Sequence, residues 1–286
     1  MTVLVPSATR RVLTPVDVLS SSGGYVLSMR TETVGDGTPE LAVVSCLHGD
    51  EMCGKTAIER LLAERHSFER PVTFVVANEA AVGANVRFVD EDLNRAFPGD
   101  PDGDTYESRL AAELMAELRD RKVLDFHSTQ SHPDPFALVD GLDEEKARLA
   151  RATGLERLVD IDLVPGGLIG QVDGVAVECG YVGTETAARN AERVLRNFLG
   201  VTGALDVPAE ESDPDVYRVT DIVDGDDFEF VGLNFEEVPE GEVFAHSDDE
   251  SLRADEPFYP VLMSTEGYDE MVGFKAERVG RLSEIE

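Results

Sequence analysis

The amino-acid sequence predicts an α/β fold, in which a mostly parallel or mixed sheet carries helices on both faces and a small all-β unit follows. Through the first two thirds of the chain, short apolar runs rich in β-branched residues alternate with amphipathic stretches of helical spacing. This alternation is typical of a largely parallel sheet covered by helices. Beyond about residue 214, short strand-like runs follow one another between turn residues, which predicts the β unit.

The first two thirds contain four predicted strands and three predicted helices. Each strand is an apolar run, and each helix repeats apolar residues at intervals of three and four. The predicted strands are 41–47, 72–78, 123–127 and 174–180. The predicted helices are 51–65, 106–122 and 184–200, the last ending at a glycine. In an open sheet of this kind, ligands bind at the carboxyl ends of the strands.

A stretch rich in proline, glycine, serine and acidic residues, 201–214, predicts a linker or a long surface loop. We therefore predict a larger α/β domain over 1–203 and a β-rich domain over 204–286. The strand-like runs of the second domain are 217–223, 227–233, 242–247 and 258–264.

The charge of the chain is strongly negative. It has 58 acidic and 25 basic residues, for a formal net charge of −33, spread along its length. Repulsion among these charges disfavours the compact state in dilute buffer, whereas at molar salt the Debye length falls to about 3 Å and the repulsion is screened. The composition therefore predicts a halophilic protein of a salt-rich cytosol. It also excludes nucleic-acid binding, which needs clustered basic residues, and disfavours anionic membranes.

Three cysteines, Cys46, Cys53 and Cys179, form no CxxC pair and no dense framework, so we expect buried, reduced thiols. The first twenty residues lack an apolar stretch of signal-peptide type, and no run approaches the roughly 18 apolar residues of a membrane span. These features predict a cytoplasmic protein without a membrane partner, and they are compatible with a homo-oligomer.

His48 follows the strand 41–47, and Glu51 comes three residues later, where the next helix begins. The turn therefore presents an imidazole and a carboxylate together, and zinc binds both readily. A short His-x-x-Glu pair also arises by chance in a chain this rich in glutamate. The pair is a candidate metal site that needs a third ligand.

His127 and Glu178 also stand at the ends of predicted strands. His127 closes the strand 123–127, at the edge of the sheet where ligands bind. Glu178 ends an apolar strand, where an unpaired buried carboxylate costs several kcal/mol. A role beside a metal, as a base that takes a proton from water and passes it to a leaving amine, explains its position. A salt bridge with an arginine is the structural alternative.

The loop 87–100 contains Arg87, Asn94 and Arg95 and ends in Pro-Gly. A guanidinium binds a carboxylate through two parallel hydrogen bonds, so arginines in an irregular loop of an acidic chain suggest recognition of an anion. The alternative is a surface arginine paired with a nearby acidic residue of the same loop.

Four motifs, taken in chain order, resemble those of the succinylglutamate desuccinylase and aspartoacylase family, relatives of the zinc carboxypeptidases. The motifs are HGDE (48–51), RFVDEDLNRAFPG (87–99), LDFHST (124–129) and VAVECG (175–180). The resemblance covers about residues 40–200 and extends to YPVLMSTEGYDEMVGF (259–274). It implies a zinc carboxypeptidase-like fold and hydrolysis of a small N-acyl amino acid, the substrate being the expected small-molecule partner.

The resemblance also implies a role for each candidate residue. One Zn²⁺ per chain would be held by His48, Glu51 and His127, and Glu178 would be the base that activates water on the metal. Arg87 would polarise the scissile carbonyl, an electrostatic role. Two further residues, Asn94 and Arg95, would bind a substrate carboxylate. Tyr268 would reach the pocket from the β unit, which in this family caps the cleft and excludes long peptides.

The chain departs from aspartoacylases at two positions. Leu168 stands where they have an arginine, about ten residues before the catalytic glutamate, that helps to hold the substrate's carboxylates. A substrate with fewer carboxylates, or with a cationic amine half, is therefore compatible with the sequence. Ser128 replaces an amide side chain after His127.

Two other functions fit the same residues. A zinc carboxypeptidase acting on peptides shares the fold, the ligands and the base, but the capping unit and the short chain disfavour it. A non-catalytic protein that binds a metal or a small acid would need the ligands without Glu178. Both alternatives retain the metal site.

Overall fold

The structure, a computed structural model, describes residues 11–13, 29–163, 166–225, 227–265 and 271–285. The strands in chain order are β1 (Arg11–Leu13), β2 (Arg30–Val34), β3 (Leu41–Ser45), β4 (Val72–Val76), β5 (Lys122–Thr129), β6 (Phe136–Val139), β7 (Arg157–Asp160), β8 (Gly174–Tyr181), β9 (Asp215–Asp224), β10 (Glu229–Phe230), β11 (Val243–His246), β12 (Ser251–Arg253), β13 (Tyr259–Val261) and β14 (Met271–Arg281). The helices are α1 (Cys53–Ala63), α2 (Glu79–Ala84), α3 (Leu93–Ala96), α4 (Tyr106–Glu117), α5 (Glu144–Ala152), α6 (Glu185–Val201) and α7 (Leu282–Ile285).

One large mixed sheet organises the described part of the chain. Its strands lie in the order β1-β2-β4-β3-β5-β8-β6-β7-β9-β14-β13. The central neighbours β4, β3, β5 and β8 run parallel, and antiparallel strands complete both edges. The predicted mostly parallel or mixed sheet is confirmed.

Helices cover both faces of this sheet. On one face, α1, α5 and α6 pack against residues such as Val43 and Phe126. On the other face, α4 packs against neighbouring residues of the same strands, including Val44 and Val123. Since successive residues of a strand point to opposite faces, β3 is buried along its whole length. The prediction of helices on both faces is therefore confirmed.

The C-terminal third contains the predicted small antiparallel sheet, formed by β10, β11 and β12. The other strands of this region, β9, β13 and β14, extend the large sheet, because β9 pairs in parallel with β7. The division at residues 203 and 204 stays a prediction, since α6 ends two residues before it and the chain then continues the same sheet. In the described ranges, no helix has the length and apolar character needed to cross a bilayer.

Candidate active site and metal centre

The candidate site lies where the carboxyl ends of three adjacent strands meet. Strands β3, β5 and β8 are parallel neighbours, so their carboxyl ends share one edge of the sheet. His48 follows β3, and His127 in β5 lies directly opposite Glu178 in β8. The sheet therefore brings together residues that are up to 130 positions apart in the sequence.

A tight turn carries the chain from β3 to Glu51. Cys46 adopts the left-handed conformation, with φ of 56°, which is uncommon for a residue other than glycine. A Cβ atom at Gly49 would lie 2.3 Å from the backbone of Ala81, so this position requires glycine. The Gly49 amide donates to the carbonyl of Arg87, 3.0 Å away. The turn and the arginine-bearing loop are thus joined through their backbones.

His48, Glu51 and His127 form a buried cluster around the Glu51 carboxylate. His48 donates from Nδ1 to Glu51 Oε1 at 2.8 Å, and His127 donates from Nδ1 to Oε2 at 3.1 Å. The Ser128 backbone amide also donates to Oε2, at 3.1 Å. The two imidazoles therefore turn the same ring nitrogen toward one carboxylate.

Two further carboxylates hold the outer ring nitrogens. Asp92 accepts from His48 Nε2 at 2.9 Å, and Asp125 accepts from His127 Nε2 at 2.8 Å. Histidines that bind metals commonly donate their second nitrogen to a carboxylate, which fixes the orientation of the ring. The sequence prediction missed both residues. The spacing Asp-x-His in a strand, which places Asp125 and His127 on one face, is a signal that could have identified Asp125.

The electrostatics of the cluster favour a bound cation. Burial lowers the pKa of His48, but the charge of Glu51 and the hydrogen bond to Asp92 outweigh it and raise the pKa above its ordinary value. Burial also lowers the pKa of His127, but Asp125 and Glu51 outweigh this effect and raise the pKa well above its usual range. For Glu51, burial acts to raise the pKa, yet the two imidazoles hold it well below the usual range. A metal ion would replace the imidazole protons, so binding releases protons.

The donor set fits a catalytic zinc site. One ligand atom each from His48, Glu51 and His127 lies within 4.8 Å of the others, so a small convergence of the three side chains would let them bind one zinc ion at about 2.0–2.1 Å. Two histidines and one glutamate form a common catalytic set that leaves a position free for water or substrate. The supporting carboxylates Asp92 and Asp125 are those that such histidines require.

We predict that Asp125→Asn weakens zinc affinity about 10- to 100-fold, because His127 loses the carboxylate that fixes its ring. The affinity can be measured by competition with a chromogenic chelator. Asp173→Asn is a suitable control, since Asp173 is an exposed carboxylate paired with Lys122 away from the cluster. Equal affinities in Asp125→Asn and the unchanged protein would contradict the supporting role.

Glu178 projects into the site from β8 and is only partly accessible. Its Oε2 atom is buried and has no hydrogen-bond partner among the described residues. Burial raises the pKa of this carboxyl to about 7, against the opposing charge of His127. The salt bridge that was the structural alternative is absent from the described parts of the chain. A carboxyl of this pKa can both accept and return a proton near neutral pH.

The loop that follows α2 brings Arg87 and Asp92 to the cluster. Arg87 donates to Glu51 Oε1 at 2.9 Å and to Asp92 Oδ2 at 3.3 Å, and its side chain is 41% exposed. The buried Glu107 of α4 holds the loop by accepting from the backbone amides of residues 89, 90 and 91. Glu107 is a third supporting residue that the sequence prediction missed.

Asn94 and Arg95, in the short helix α3, line the cleft beside the cluster. Asn94 Oδ1 accepts from the Leu168 backbone amide at 2.9 Å, while its Nδ2 has no hydrogen bond in the parts described. Arg95 is exposed and makes no salt bridge there. Leu168 itself is fully buried and packs in the core between α4 and the sheet, so its side chain does not face the cleft.

The cluster opens into a cleft of about 570 Å³, which has the size of a small-molecule site. All the predicted site residues except Tyr268 line it. Tyr268 lies outside the described residues, and its predicted role stays a prediction. The three cysteines are free and buried, as expected, and the Cys53 thiol donates to the carbonyl of His127.

A family model, the succinylglutamate desuccinylase/aspartoacylase catalytic domain, matches residues 37–197. The chain is 31% identical over 230 residues to an N-alpha-acetyl-L-2,4-diaminobutyric acid deacetylase of Halomonas elongata, covering 69% of this chain and 65% of that protein. It is 33% identical over 134 residues to a succinylglutamate desuccinylase of Pseudomonas paraeruginosa, covering 41% and 40%. It is 30% identical over 107 residues to an N-acyl-aromatic-L-amino acid amidohydrolase of Xenopus tropicalis, covering 32% and 34%. The chain thus spans less than two thirds of each of these relatives.

Solved structures share the fold. A succinylglutamate desuccinylase/aspartoacylase of Rhodobacter sphaeroides superposes with a TM-score of 0.74 at 20% identity, covering 96% of this chain and 95% of that chain. A product-bound ectoine utilization protein of Ruegeria pomeroyi gives a TM-score of 0.72 at 21% identity, covering 87% and 88%. At these identities the likeness concerns the fold alone.

Proposed function

The chain belongs to the succinylglutamate desuccinylase/aspartoacylase family, and from that premise we propose that it is a zinc-dependent hydrolase of the amide bond in a small N-acyl amino acid. One observation carries the proposal. The buried cluster of His48, Glu51 and His127 lies beside Glu178, whose Oε2 atom has no partner among the described residues. A metal site and a free carboxyl side by side are the parts that hydrolysis requires.

A bound metal and the residues of the protein would have separate roles in hydrolysis. Zinc bound by His48, Glu51 and His127 would supply positive charge that polarises a carbonyl and lowers the pKa of water to about 7. The Glu178 carboxylate accepts the proton that the attacking water loses. As the carbon–nitrogen bond breaks, Glu178 returns this proton to the departing nitrogen, which leaves as an amine. The acyl group leaves as a carboxylic acid, which ionises to the carboxylate by releasing the second proton of the water to the amine or to solvent.

The arginine-bearing loop orients the substrate. Arg87 reaches the cleft beside the cluster, where its guanidinium can donate to the carbonyl oxygen as negative charge develops there. Arg95, with the free amide Nδ2 of Asn94, offers donors to a substrate carboxylate. We propose that Tyr268 adds a further contact in the pocket, as the family resemblance implies.

The proposal is tested by a panel of N-acetyl and N-succinyl amino acids, incubated with added zinc in molar potassium chloride. Released amine is read by mass spectrometry. Release from one or more members, abolished by a chelator and restored by zinc, is expected. A folded, zinc-loaded protein that releases C-terminal residues from peptides and leaves the panel intact would favour the carboxypeptidase alternative, and one that cleaves neither would favour a binding protein.

We further propose that the protein works in a salt-rich cytosol, on the strength of its formal net charge of −33. Raising potassium chloride from 0.1 to about 1 M shortens the Debye length from about 10 to about 3 Å. If screening stabilises the fold by about 2 kcal/mol, Tm rises by about 4–8 °C for a chain of this size. Circular dichroism melts across a salt series measure this, with sucrose as a stabiliser that does not screen charge. A Tm that rises in sucrose and stays constant in potassium chloride would contradict the proposal.

A further inference from the structure

We propose that the cleft selects a substrate with one carboxylate and one uncharged, apolar group. This inference rests on the proposed function and specifies its substrate class. It follows from the distribution of charge and apolar surface around the metal cluster.

The described lining of the cleft contains two side chains with permanent positive charge, Arg87 and Arg95. Arg87 is already compensated by Glu51 and Asp92. Arg95 makes no ion pair within the described ranges and is therefore free to bind an anion. The cleft thus offers one cation for one substrate carboxylate, in addition to the groups that act on the amide.

The side of the cleft around Glu178 is apolar. Six of its residues belong to one packed cluster and form what we call the apolar wall: Leu138, Ile161, Ile169, Ala176, Leu262 and Phe274. Ala176 precedes Glu178 by two residues on the same face of β8, and it pairs with Leu138 of β6. The wall therefore begins directly beside the catalytic carboxyl.

The apolar wall continues where the aspartoacylase resemblance places an arginine. Leu168 is buried in a different cluster, on the α4 side of the sheet. The next residue, Ile169, faces the cleft and joins the wall. A second substrate carboxylate seated there would lose its hydration without gaining a partner, which is unfavourable. A hydrocarbon group would instead be transferred from water to an apolar surface.

A cationic amine half would need a free carboxylate in the cleft. Asp50 lines the cleft and has a buried oxygen without a partner among the described residues. However, Asp50 directly precedes the metal ligand Glu51 in the turn after β3, and it does not belong to the apolar wall. The wall itself contains no acidic side chain, so it favours an uncharged group.

The first experiment compares kcat/KM for N-acetyl derivatives of norleucine, glutamate and 2,4-diaminobutyrate, together with N-hexanoylglycine. We expect at least about a 10-fold preference for an apolar monocarboxylate, the order of discrimination that one or two methylenes give in a fitted pocket. The highest kcat/KM for N-acetylnorleucine would locate the apolar group on the amine half of the substrate. The highest kcat/KM for N-hexanoylglycine would locate it on the acyl half. Faster cleavage of the glutamate or diaminobutyrate compound would overturn the inference while leaving the deacylase function intact. If the protein cleaves neither these compounds nor any other N-acyl amino acid, the proposed function itself is refuted.

The second experiment places a cation in the apolar wall. Ile161→Arg is expected to raise kcat/KM for N-acetylglutamate relative to the best apolar substrate by at least about 10-fold, because the new guanidinium pairs with the second carboxylate. Ile222→Arg is the matched control, since Ile222 is also a half-buried isoleucine on the same cluster but does not line the cleft. Circular dichroism checks that both variants fold. Equal substrate ratios in the two variants would overturn the proposal.

Discussion

Glu178→Gln is expected to reduce kcat by about 10²- to 10⁴-fold and to leave zinc affinity nearly unchanged. Glutamine has almost the same shape, but it cannot take a proton from water and return it to the amine. Glu178 is separate from the three candidate ligands, so metal binding does not depend on its charge. The measurements are single-turnover hydrolysis of the best substrate and zinc content by atomic absorption.

Glu113→Gln is a suitable control for this substitution. The pKa of Glu113 is also raised by burial, but the residue lies on α4 and does not line the cleft. It should keep full activity. Hydrolysis by Glu178→Gln at a rate close to that of the unchanged protein would remove Glu178 from the mechanism.

His127→Ala is expected to lose both zinc and hydrolysis, as is His48→Ala. Each substitution removes one of three ligands from the buried cluster and leaves Glu51 with a single imidazole neighbour. The loss of affinity should exceed the roughly 10- to 100-fold that removal of a supporting carboxylate causes. Isothermal titration of the metal-free protein with zinc measures the affinity, and the same samples are assayed for turnover.

His66→Ala provides the matched control for the histidine variants. His66 pairs with Glu64 near the end of α1 and does not line the cleft. It should bind zinc and turn over substrate like the unchanged protein. If His127→Ala kept one equivalent of tightly bound zinc, the proposed ligand set would be wrong.

The sequence predicted the elements that have strong hydrophobic periodicity. Strands β3, β4, β5 and β8 and helices α1, α4 and α6 are long or apolar enough to stand out, and their order identified the fold. The sequence prediction omitted β6, α5 and β7. Strand β6 has only four residues behind a Pro-Asp-Pro segment, and the buried face of α5 is mostly alanine, so β6 is too short and α5 too weakly apolar to stand out.

The long-range pairing of the C-terminal strands was not predictable from local pattern. Strand β14 pairs with β9 across about fifty residues, with register shifts at three places. Short runs of strand character predict β structure but do not determine which strands pair with each other. For this reason the sequence predicted a β unit, and the structure shows that part of it extends the large sheet.

The candidate site was predicted where residue type and strand position agreed. His127 and Glu178 are polar side chains near the carboxyl ends of apolar strands, and they meet in the structure. Asp92, Asp125 and Glu107 were missed because acidic residues are abundant in this chain, so no single one stands out. The burial of Leu168 and the apolar wall beside it depend on three-dimensional packing, which the sequence alone does not give.

The most direct test of the account is a zinc titration of the metal-free protein, with hydrolysis of its best N-acyl amino acid as the readout. The ligand set predicts that activity rises linearly and stops rising at one equivalent of zinc per chain. Full activity before zinc is added, or one equivalent of bound zinc without turnover of any N-acyl amino acid, would contradict a zinc-dependent hydrolase.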